Sequence, residues 1–238
     1  IIVDRMLREF NVDAHVGRPE VAFKESIRGS ARAEGRFVKQ TGGRGQFGVV
    51  HLEVEPLPHP TGVQFENKII GGAVPREFVP AVEQGVREAL ETGILAGYPV
   101  IDVKVTLVDG QYHPVDSSEI AFKMAGSLGI QEALKRAKPV LLEPVMKVEV
   151  ATPDQFFGDV LSDISSRRGQ VTDVDHRGHL RVIAAHVPLA ETFGYATTLR
   201  SITQGRASYT MEFDHYQELP ASMAEQIKGR MQGQAVRR

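Results

Sequence analysis

Four glycines, an arginine and a lysine lie close together in the segment KQTGGRGQFG, residues 39–48. Such a loop can expose backbone N–H groups and a guanidinium toward phosphate. A nucleotide-binding P-loop is excluded by spacing, because it needs a lysine and a hydroxyl residue after its last glycine, and Gln46 and Phe47 follow Gly45 here. A dinucleotide-binding turn is excluded because a strand-like stretch, not a helix, follows. Two alternatives stay open: a contact to nucleic-acid phosphate or sugar, and a solvent-exposed hairpin tip.

Two further segments carry polar side chains at spacings that suggest chemistry. The turn with His113, Asp116, Ser117 and Ser118 resembles a hydrolase group, but a helix-capping role explains Asp116 without catalysis. The segment DVDHRGH, residues 173–179, offers carboxylates and imidazoles for a metal, yet a polar hairpin tip is the more ordinary interpretation. We therefore expect the chain to catalyse no reaction itself and to hold no metal or cofactor.

The composition is that of a soluble globular protein, with 42% hydrophobic and 24% charged residues among 238. No apolar run has the length of a membrane span. The absence of cysteine excludes disulfides and thiolate metal sites, and it fits a reducing cytoplasm. The net charge of −2 gives no overall attraction to nucleic acid, so RNA binding would need a local cluster such as Arg32, Arg36, Lys39 and Arg44. A solvated strand face is the alternative interpretation of that cluster.

The elements that must position these residues follow from periodicity. Residues 1–28 contain a helical pattern and then a strand-like one, too little to bury a core, and we expect them to end a preceding domain of a longer protein. The next unit reads as strands over 31–39, 47–55, 62–70 and 100–108, with a helix before the last strand. That helix has its apolar face at Phe78, Val82, Val86 and Leu90, with Pro80 in its first turn and Gly93 at its end.

Side-chain orientation is predicted by the same patterns. Alternation along strand 100–108 places Asp102, Lys104 and Thr106 on its outer side. Asp116, with Glu119 three residues later, predicts a capping box at the start of a second helix. The buried face of this second helix is predicted at three apolar residues spaced four apart, Ile120, Met124 and Leu128.

A third unit runs from about Pro139 to Tyr216. Its strands and helices follow the order βαββαβ, which is typical of a ferredoxin-like domain. Thr152, Pro153 and Gln155 predict the N-cap and first turn of its first helix. Its second helix is predicted over about 189–203, and a terminal helix over 219–231.

Several long segments resemble bacterial translation elongation factor G. The match includes QTGGRGQFG, IIGGAVPREFVPAVEQG, YHPVDSSEIAFKMAGS and GDVLSDISSRRGQV, and it extends over nearly the whole chain to about Pro220. The resemblance implies an α+β fold: an elongated arm domain with a left-handed β-α-β crossover, followed by a ferredoxin-like domain. Residues 1–28 would end the third domain, 29–138 form the fourth or arm domain, 139–220 the fifth domain, and 221–238 a C-terminal helix and tail.

The resemblance also implies which residues meet RNA. The arm tip would be formed by two loops, 40–46 and 109–118, with Gln46 and His113 reaching the codon–anticodon backbone. The implied tip contacts are Gln40, Thr41, Gly42, Gly43, Arg44, Gly45, Gln46, Tyr112, His113, Asp116, Ser117 and Ser118. Arg167, Arg168 and Arg206 of the fifth domain are the residues we expect to contact large-subunit rRNA.

The implied function is translocation of tRNA and mRNA on the ribosome. The tip would enter the A site in the small-subunit decoding region, and the fifth domain would meet the sarcin–ricin loop and the stalk base of the large subunit. GTP and Mg²⁺ would belong to a G domain that this sequence lacks, so no cofactor is expected here. We expect a cytoplasmic monomer with no membrane contact; the alternative is a paralogue specialised in ribosome recycling or ribosome protection.

Overall fold

A computed structural model describes residues 21–40 and 42–235 of the chain. The helix predicted near the start of the chain, the first part of the strand after it, and Thr41 lie outside these residues. The described strands form two sheets: β1 (Lys24–Ile27), β2 (Ala31–Lys39), β3 (Gln46–Pro56), β4 (Val63–Asn67), β5 (Val103–Gln111), β6 (Pro139–Pro153), β7 (Gln170–Arg177), β8 (Leu180–Pro188) and β9 (Ser208–Glu218). The described α-helices are α1 (Val79–Thr92), α2 (Glu119–Arg136), α3 (Phe157–Ser166), α4 (Tyr195–Ile202) and α5 (Ala221–Ala235).

The arm domain is built on a four-stranded sheet in the order β2-β3-β5-β4. β2 and β3 form an antiparallel hairpin, β5 pairs antiparallel with β3, and β4 pairs parallel with β5. The parallel pair is connected through α1, which gives the predicted β-α-β unit. Lys39 pairs with Gln46, and Val49 pairs with Gln111, so the β2–β3 loop and the β5–α2 loop leave the same end of the sheet.

Both arm helices pack on the sheet through an apolar core that includes Val82, Val86, Leu52 and Leu107. Pro80 lies in the first turn of α1 and Gly93 at its C-terminal end, as predicted. α2, in contrast, does not bury the predicted face. Its exposed residues include Ile120, Met124 and Leu128, with 67%, 40% and 41% of their surface accessible. The residues it buries are Ala121, Phe122, Ala125, Gly126, Gly129, Ile130, Ala133 and Leu134.

The reason for this error is the size of the residues at the helix contact. Alanine and glycine carry little apolar surface, so a pattern weighted by hydrophobicity passes over them. They are nevertheless the residues that let a helix backbone approach a strand. A Cβ built on Gly126 would lie 2.6 Å from the Val82 carbonyl oxygen of α1, so that only glycine fits there. The large apolar stripe is left on the opposite side, facing solvent.

Two of the three outward positions predicted on strand 100–108 are buried, since Asp102 is 4% and Thr106 is 6% exposed, whereas Lys104 is partly exposed. β5 lies between β3 and β4, and Thr106 pairs with Glu53 on one side and Glu66 on the other. Long side chains on both neighbouring strands therefore cover it. Asp102 precedes the strand, with a φ of 60°, and its carboxylate accepts hydrogen bonds from neighbouring backbone.

The strands and helices of the fifth domain follow the predicted βαββαβ order, which confirms that prediction. Its strands lie in the order β9-β6-β8-β7, and α3 and α4 contribute Val160, Ile164 and Leu199 to the core with β6 and β8. The predicted N-cap at Thr152 is wrong, because β6 continues through Pro153 and a 3₁₀ turn at Asp154–Phe156 precedes α3. The first residues of β6 also pair with β1, which precedes the arm in sequence.

The C-terminal helix packs where the two domains meet. Ala224 of α5 lies in one apolar cluster with Leu219, Leu141 and Ala96, the last of these from the α1–β5 loop of the arm. Within the described ranges, no helix has the length and apolar content that crossing a membrane requires.

Candidate nucleic-acid interface

The two loops at the end of the arm sheet are joined into one surface by hydrogen bonds. The Phe47 N–H donates to the Asp116 carbonyl at 2.9 Å, and the Gly45 N–H donates to the Asp116 carboxylate at 3.2 Å. The Arg44 Nε–H donates to the Val115 carbonyl at 3.2 Å. These contacts join residues about 70 positions apart in sequence, so the arm tip is a single unit and not two independent loops.

Asp116 joins the loops and does not cap the helix. α2 begins at Glu119 with Ser118 as its N-cap, and the Ser118 hydroxyl accepts from the Ala121 N–H at 3.1 Å. The predicted capping box at Asp116 is therefore wrong by two residues. The carboxylate is used instead across the tip, on the backbone of Gly45.

Gly45 is a glycine because of packing. A Cβ built there would lie 2.8 Å from an Asp116 carboxylate oxygen and 3.1 Å from the Lys39 carbonyl oxygen. Gly42 and Gly43 face open space, and none of these three glycines has a left-handed φ. Close contact therefore requires glycine at position 45, whereas neither packing nor φ requires it at positions 42 and 43.

Ser117 is an internal positioning residue. It is 8% exposed, its hydroxyl donates to the Phe47 carbonyl at 2.8 Å, and it accepts from the His113 N–H at 2.8 Å. Ser118 is similarly engaged by the start of α2. The Ser117 hydroxyl thus joins the two loops, whereas the Ser118 hydroxyl fixes the start of the helix that follows the second loop.

His113 has one ring nitrogen committed to the turn. Its Nδ1 accepts from the Val115 N–H at 3.2 Å and the Asp116 N–H at 3.1 Å. An accepting Nδ1 means that the neutral ring carries its proton on Nε2. Nε2 has no hydrogen-bond partner among residues 21–40 and 42–235, and the side chain is 48% exposed beside the Phe47 ring, at a centroid distance of 6.0 Å. The geometry therefore leaves one oriented N–H donor outside.

Only two of the four basic residues in the sequence cluster lie at the tip. Arg32 and Arg36 lie on the outer face of β2, beside Glu53 at 3.7 Å and Glu34 at 3.8 Å, respectively. Lys39 and Arg44 are exposed at the tip itself. Four other predicted contacts stand there as well: Gln40, Gly42, Gly43 and Tyr112 are exposed.

Gln46, at the start of β3, has a buried amide oxygen without a hydrogen-bond partner in the described part of the chain. Gln46 follows Gly45 in the sequence and lies at the base of the tip.

Two of the three fifth-domain arginines are engaged inside the protein. Arg167 donates to the Asp163 carboxylate at 3.1 Å, the Glu191 carbonyl at 2.7 Å and the Thr198 hydroxyl at 3.2 Å, and its side chain is 15% exposed. Its guanidinium also lies over the Tyr195 ring, 5.1 Å from the centroid. Arg167 thus holds α3 against the segment before α4.

Arg168 forms a bidentate pair with Glu143, which is fully buried, at 2.8 and 3.0 Å, and a further contact to Glu191 at 3.1 Å. The hydrogen bonds that it donates to Glu143, with the contact to Glu191, raise the pKa of this guanidinium above its ordinary value. Arg206 differs from both. It is exposed, with its guanidinium 5.7 Å from the centre of the Phe156 ring, and makes no ion pair with any described residue.

Comparison with known proteins assigns the two domains. Residues 19–138 match the family model for elongation factor G, domain IV, and residues 140–227 match the model for the elongation factor G C-terminus. The chain belongs to the elongation factor G family. This elongation factor G chain is similar to a protein from Thermus thermophilus whose crystal structure is known. The match covers 98% of this chain, with 39% sequence identity and a TM-score of 0.88. The chain spans 35% of the length of that protein.

The tip of this elongation factor G chain combines predicted and unpredicted features. Residues 42–46 and 112–118 come together as the resemblance implies. Sequence reasoning missed the cross-loop role of Asp116 and the N-cap at Ser118. A signal for the latter was present, since the serine stands directly before Glu119, the first helical acid, and acids favour the first turn.

Proposed function

We propose that this chain is the ribosome-contacting part of an elongation factor G, and that its arm tip enters the A site of the decoding region during translocation of tRNA and mRNA. The observation that supports this proposal is the tip itself. Two loops joined by hydrogen bonds present the free Nε2–H of His113 and the exposed Arg44 on one surface. Such donors suit RNA phosphates and ribose hydroxyls, which carry no base identity.

The mechanism we propose is steric and electrostatic. The tip occupies the A site after the tRNA has left it, and donors from His113 and Arg44 contact the backbone of the tRNA–mRNA duplex. A tip whose loops move as one unit resists backward sliding better than two separate loops, since less conformational freedom is lost on contact. Binding energy at the tip thereby stabilises the translocated state.

The covalent chemistry belongs elsewhere in this proposal. The two family matches are to domain IV and to the C-terminus of elongation factor G. We propose that GTP and Mg²⁺ bind a G domain of the longer factor, while this chain makes and breaks no bonds. We further propose that the factor acts in the cytoplasm as a monomer.

One of the three predicted arginines is the best candidate for a contact to the large ribosomal subunit. Arg206 is exposed and unpaired with respect to the described carboxylates, whereas Arg167 and Arg168 stabilise the fold. We propose Arg206 as the rRNA contact of the fifth domain, near the sarcin–ricin loop and stalk base. The other two arginines then have a positioning role.

His113 provides the test of the proposed function. In the full-length factor, His113→Ala is expected to slow tRNA–mRNA movement roughly five- to 150-fold, because one contact made in the transition state contributes about 1 to 3 kcal/mol. Ribosome-stimulated GTP hydrolysis is expected to stay within about twofold. Rapid-kinetic measurement of both steps on programmed ribosomes checks this.

Two further substitutions separate the contact from the turn. His113→Asn retains an oxygen near Nδ1 that can accept from the Val115 and Asp116 N–H groups, but it lacks the outward donor, so it should be as slow as alanine. His113→Gln places an amide donor near the Nε2 position and should recover part of the rate. A parallel fall in GTP hydrolysis, or full speed in the asparagine variant, would refute the proposed contact.

A further inference from the structure

One side chain connects the arm domain to the fifth domain by hydrogen bonds at both ring nitrogens. His59 lies in the β3–β4 loop of the arm, and its Nδ1 is 2.7 Å from the Asp102 carboxylate. Its Nε2 accepts from the backbone N–H of Tyr216, in β9 of the fifth domain, at 3.1 Å. The rings of His59 and Tyr216 are also perpendicular, with centroids 6.3 Å apart. The imidazole therefore bridges residues that are 157 positions apart in sequence.

The two hydrogen bonds require one another. An ionised carboxylate can only accept, so the hydrogen at Nδ1 must point to Asp102. In the neutral ring Nε2 is then an acceptor, which is what the Tyr216 N–H needs. Asp102 consequently selects the tautomer that can bind β9.

Asp102 is itself fixed within the arm. It is 4% exposed, and its carboxylate accepts from the Thr61 N–H at 2.8 Å and the Gly62 N–H at 3.0 Å. Burial of this carboxyl alone would raise its pKa, but the hydrogen bonds from Gly62, Thr61 and His59 outweigh burial and hold the pKa below its ordinary value. The anion that orients His59 is thus fixed directly before β5 by hydrogen bonds from the β3–β4 loop.

Other contacts between the domains involve the segment that precedes the arm and the α1–β5 loop, whose Ala96 packs with Leu141, Leu219 and Ala224. Arg28 forms an ion pair with Glu218, and the Tyr216 hydroxyl donates to the Ala22 carbonyl at 3.2 Å. These contacts anchor the base of the arm where it joins the β1–β6 pair. His59 comes from a different part of the arm, the loop between β3 and β4. An additional point of attachment, away from these contacts in the sequence of the arm, restricts turning of the arm about its base.

We propose that His59 is a positioning residue that fixes the direction of the arm relative to the fifth domain by bridging Asp102 to the β9 backbone at Tyr216. The consequence for translocation rests on the proposed function, since a tip must be aimed to enter the A site. The bridge itself concerns the protein alone and can be measured without ribosomes.

The absence of cysteine from the chain makes the measurement direct. Spin labels on Gly43→Cys, in open space at the tip, and on Asp173→Cys, exposed on β7, report the distance between the arm tip and the fifth domain. Pulsed electron–electron double resonance on the doubly labelled chain that retains His59 is expected to give one narrow distance distribution. His59→Ala is expected to broaden it and shift its maximum.

Conservative substitutions distinguish the bridge from a general loss of packing. The amide oxygen of His59→Gln falls near Nε2 and can accept from the Tyr216 N–H, so this variant should keep the narrow distribution. His59→Asn can still donate to Asp102 but falls short of Tyr216, so its distribution should broaden while its thermal unfolding stays close to that of the unsubstituted chain. An unchanged distribution in the alanine variant, or equal broadening with asparagine and glutamine, would overturn the proposal.

Discussion

Gly35→Ala is expected to unfold the arm domain. A Cβ built at Gly35 would lie 1.9 Å from the Ala125 carbonyl oxygen and 2.7 and 2.8 Å from the backbone nitrogen and Cα of Gly129. These are backbone atoms of α2, which cannot rotate away as the end of a flexible side chain can. The whole helix would have to separate from β2, exposing the buried face that includes Phe122 and Ile130. The loss should exceed about 4 kcal/mol, a large part of the stability of an ordinary domain.

Denaturant unfolding of the chain measures this loss directly. Gly42→Ala is the matched control, because Gly42 belongs to the loop of the same hairpin but has nothing within 4 Å of its Cβ position. That control should change the free energy of unfolding by less than about 0.5 kcal/mol. If Gly35→Ala cost as little as Gly42→Ala, α2 would not lie on β2, and this arm fold would be incorrect.

Glu25→Gln is the second substitution expected to have a large effect. Glu25 is 1% exposed, and its two carboxylate oxygens accept four backbone N–H groups of the α1–β5 loop. The donors are Ile94 and Leu95 at 2.8 Å on one oxygen, and Ala96 and Tyr98 at 3.0 Å on the other. Glutamine replaces one oxygen by a donor, which would then face two further donors. Leaving these buried groups unpaired should cost about 3–5 kcal/mol.

The same unfolding measurement with Glu53→Gln provides the comparison. Glu53 is an exposed glutamate on the outer face of β3, 3.7 Å from Arg32, and a surface pair of this kind contributes at most about 1 kcal/mol. A loss of less than about 1 kcal/mol for Glu25→Gln as well would mean that the two N–H groups facing the new amide NH2 find water instead. The attachment of β1 to the arm would then be looser than the structure shows.

Element order was predictable because its signals are local. The alternation in β2, β3 and β5, and the turn at Gly178 between β7 and β8, depend on residues close in sequence. The buried face of α2 was not predictable in this way. Its selection depends on which residues allow the helix backbone to touch β2 and α1, and that requirement is visible at Gly126 and Gly35 only once the elements are packed.

In the candidate site, too, some features were predictable from the sequence and others depend on residues that are distant in sequence. The membership of the tip followed from the resemblance, whereas the role of Asp116 depends on Gly45, 71 residues away. The pair Arg167–Arg168 looks like a basic patch in sequence, but its carboxylate partners Glu143 and Asp163 come from β6 and α3. Polar residues that hold distant segments together cannot be told from surface-binding ones until their partners are known.

The proposal that the arm tip meets the decoding region can be tested by mapping where a probe at the tip cleaves rRNA. An iron–EDTA probe tethered to Gly43→Cys generates hydroxyl radicals only near the tip once any cysteines in the other domains of the full-length factor are replaced, since this chain has none of its own. On ribosomes carrying the full-length factor, we expect cuts in small-subunit rRNA around the decoding region, and cuts in large-subunit rRNA from a matched probe at Asp173→Cys in the fifth domain. Tip-probe cuts confined to large-subunit rRNA, or the same cuts from both probes, would contradict the proposed placement of the arm.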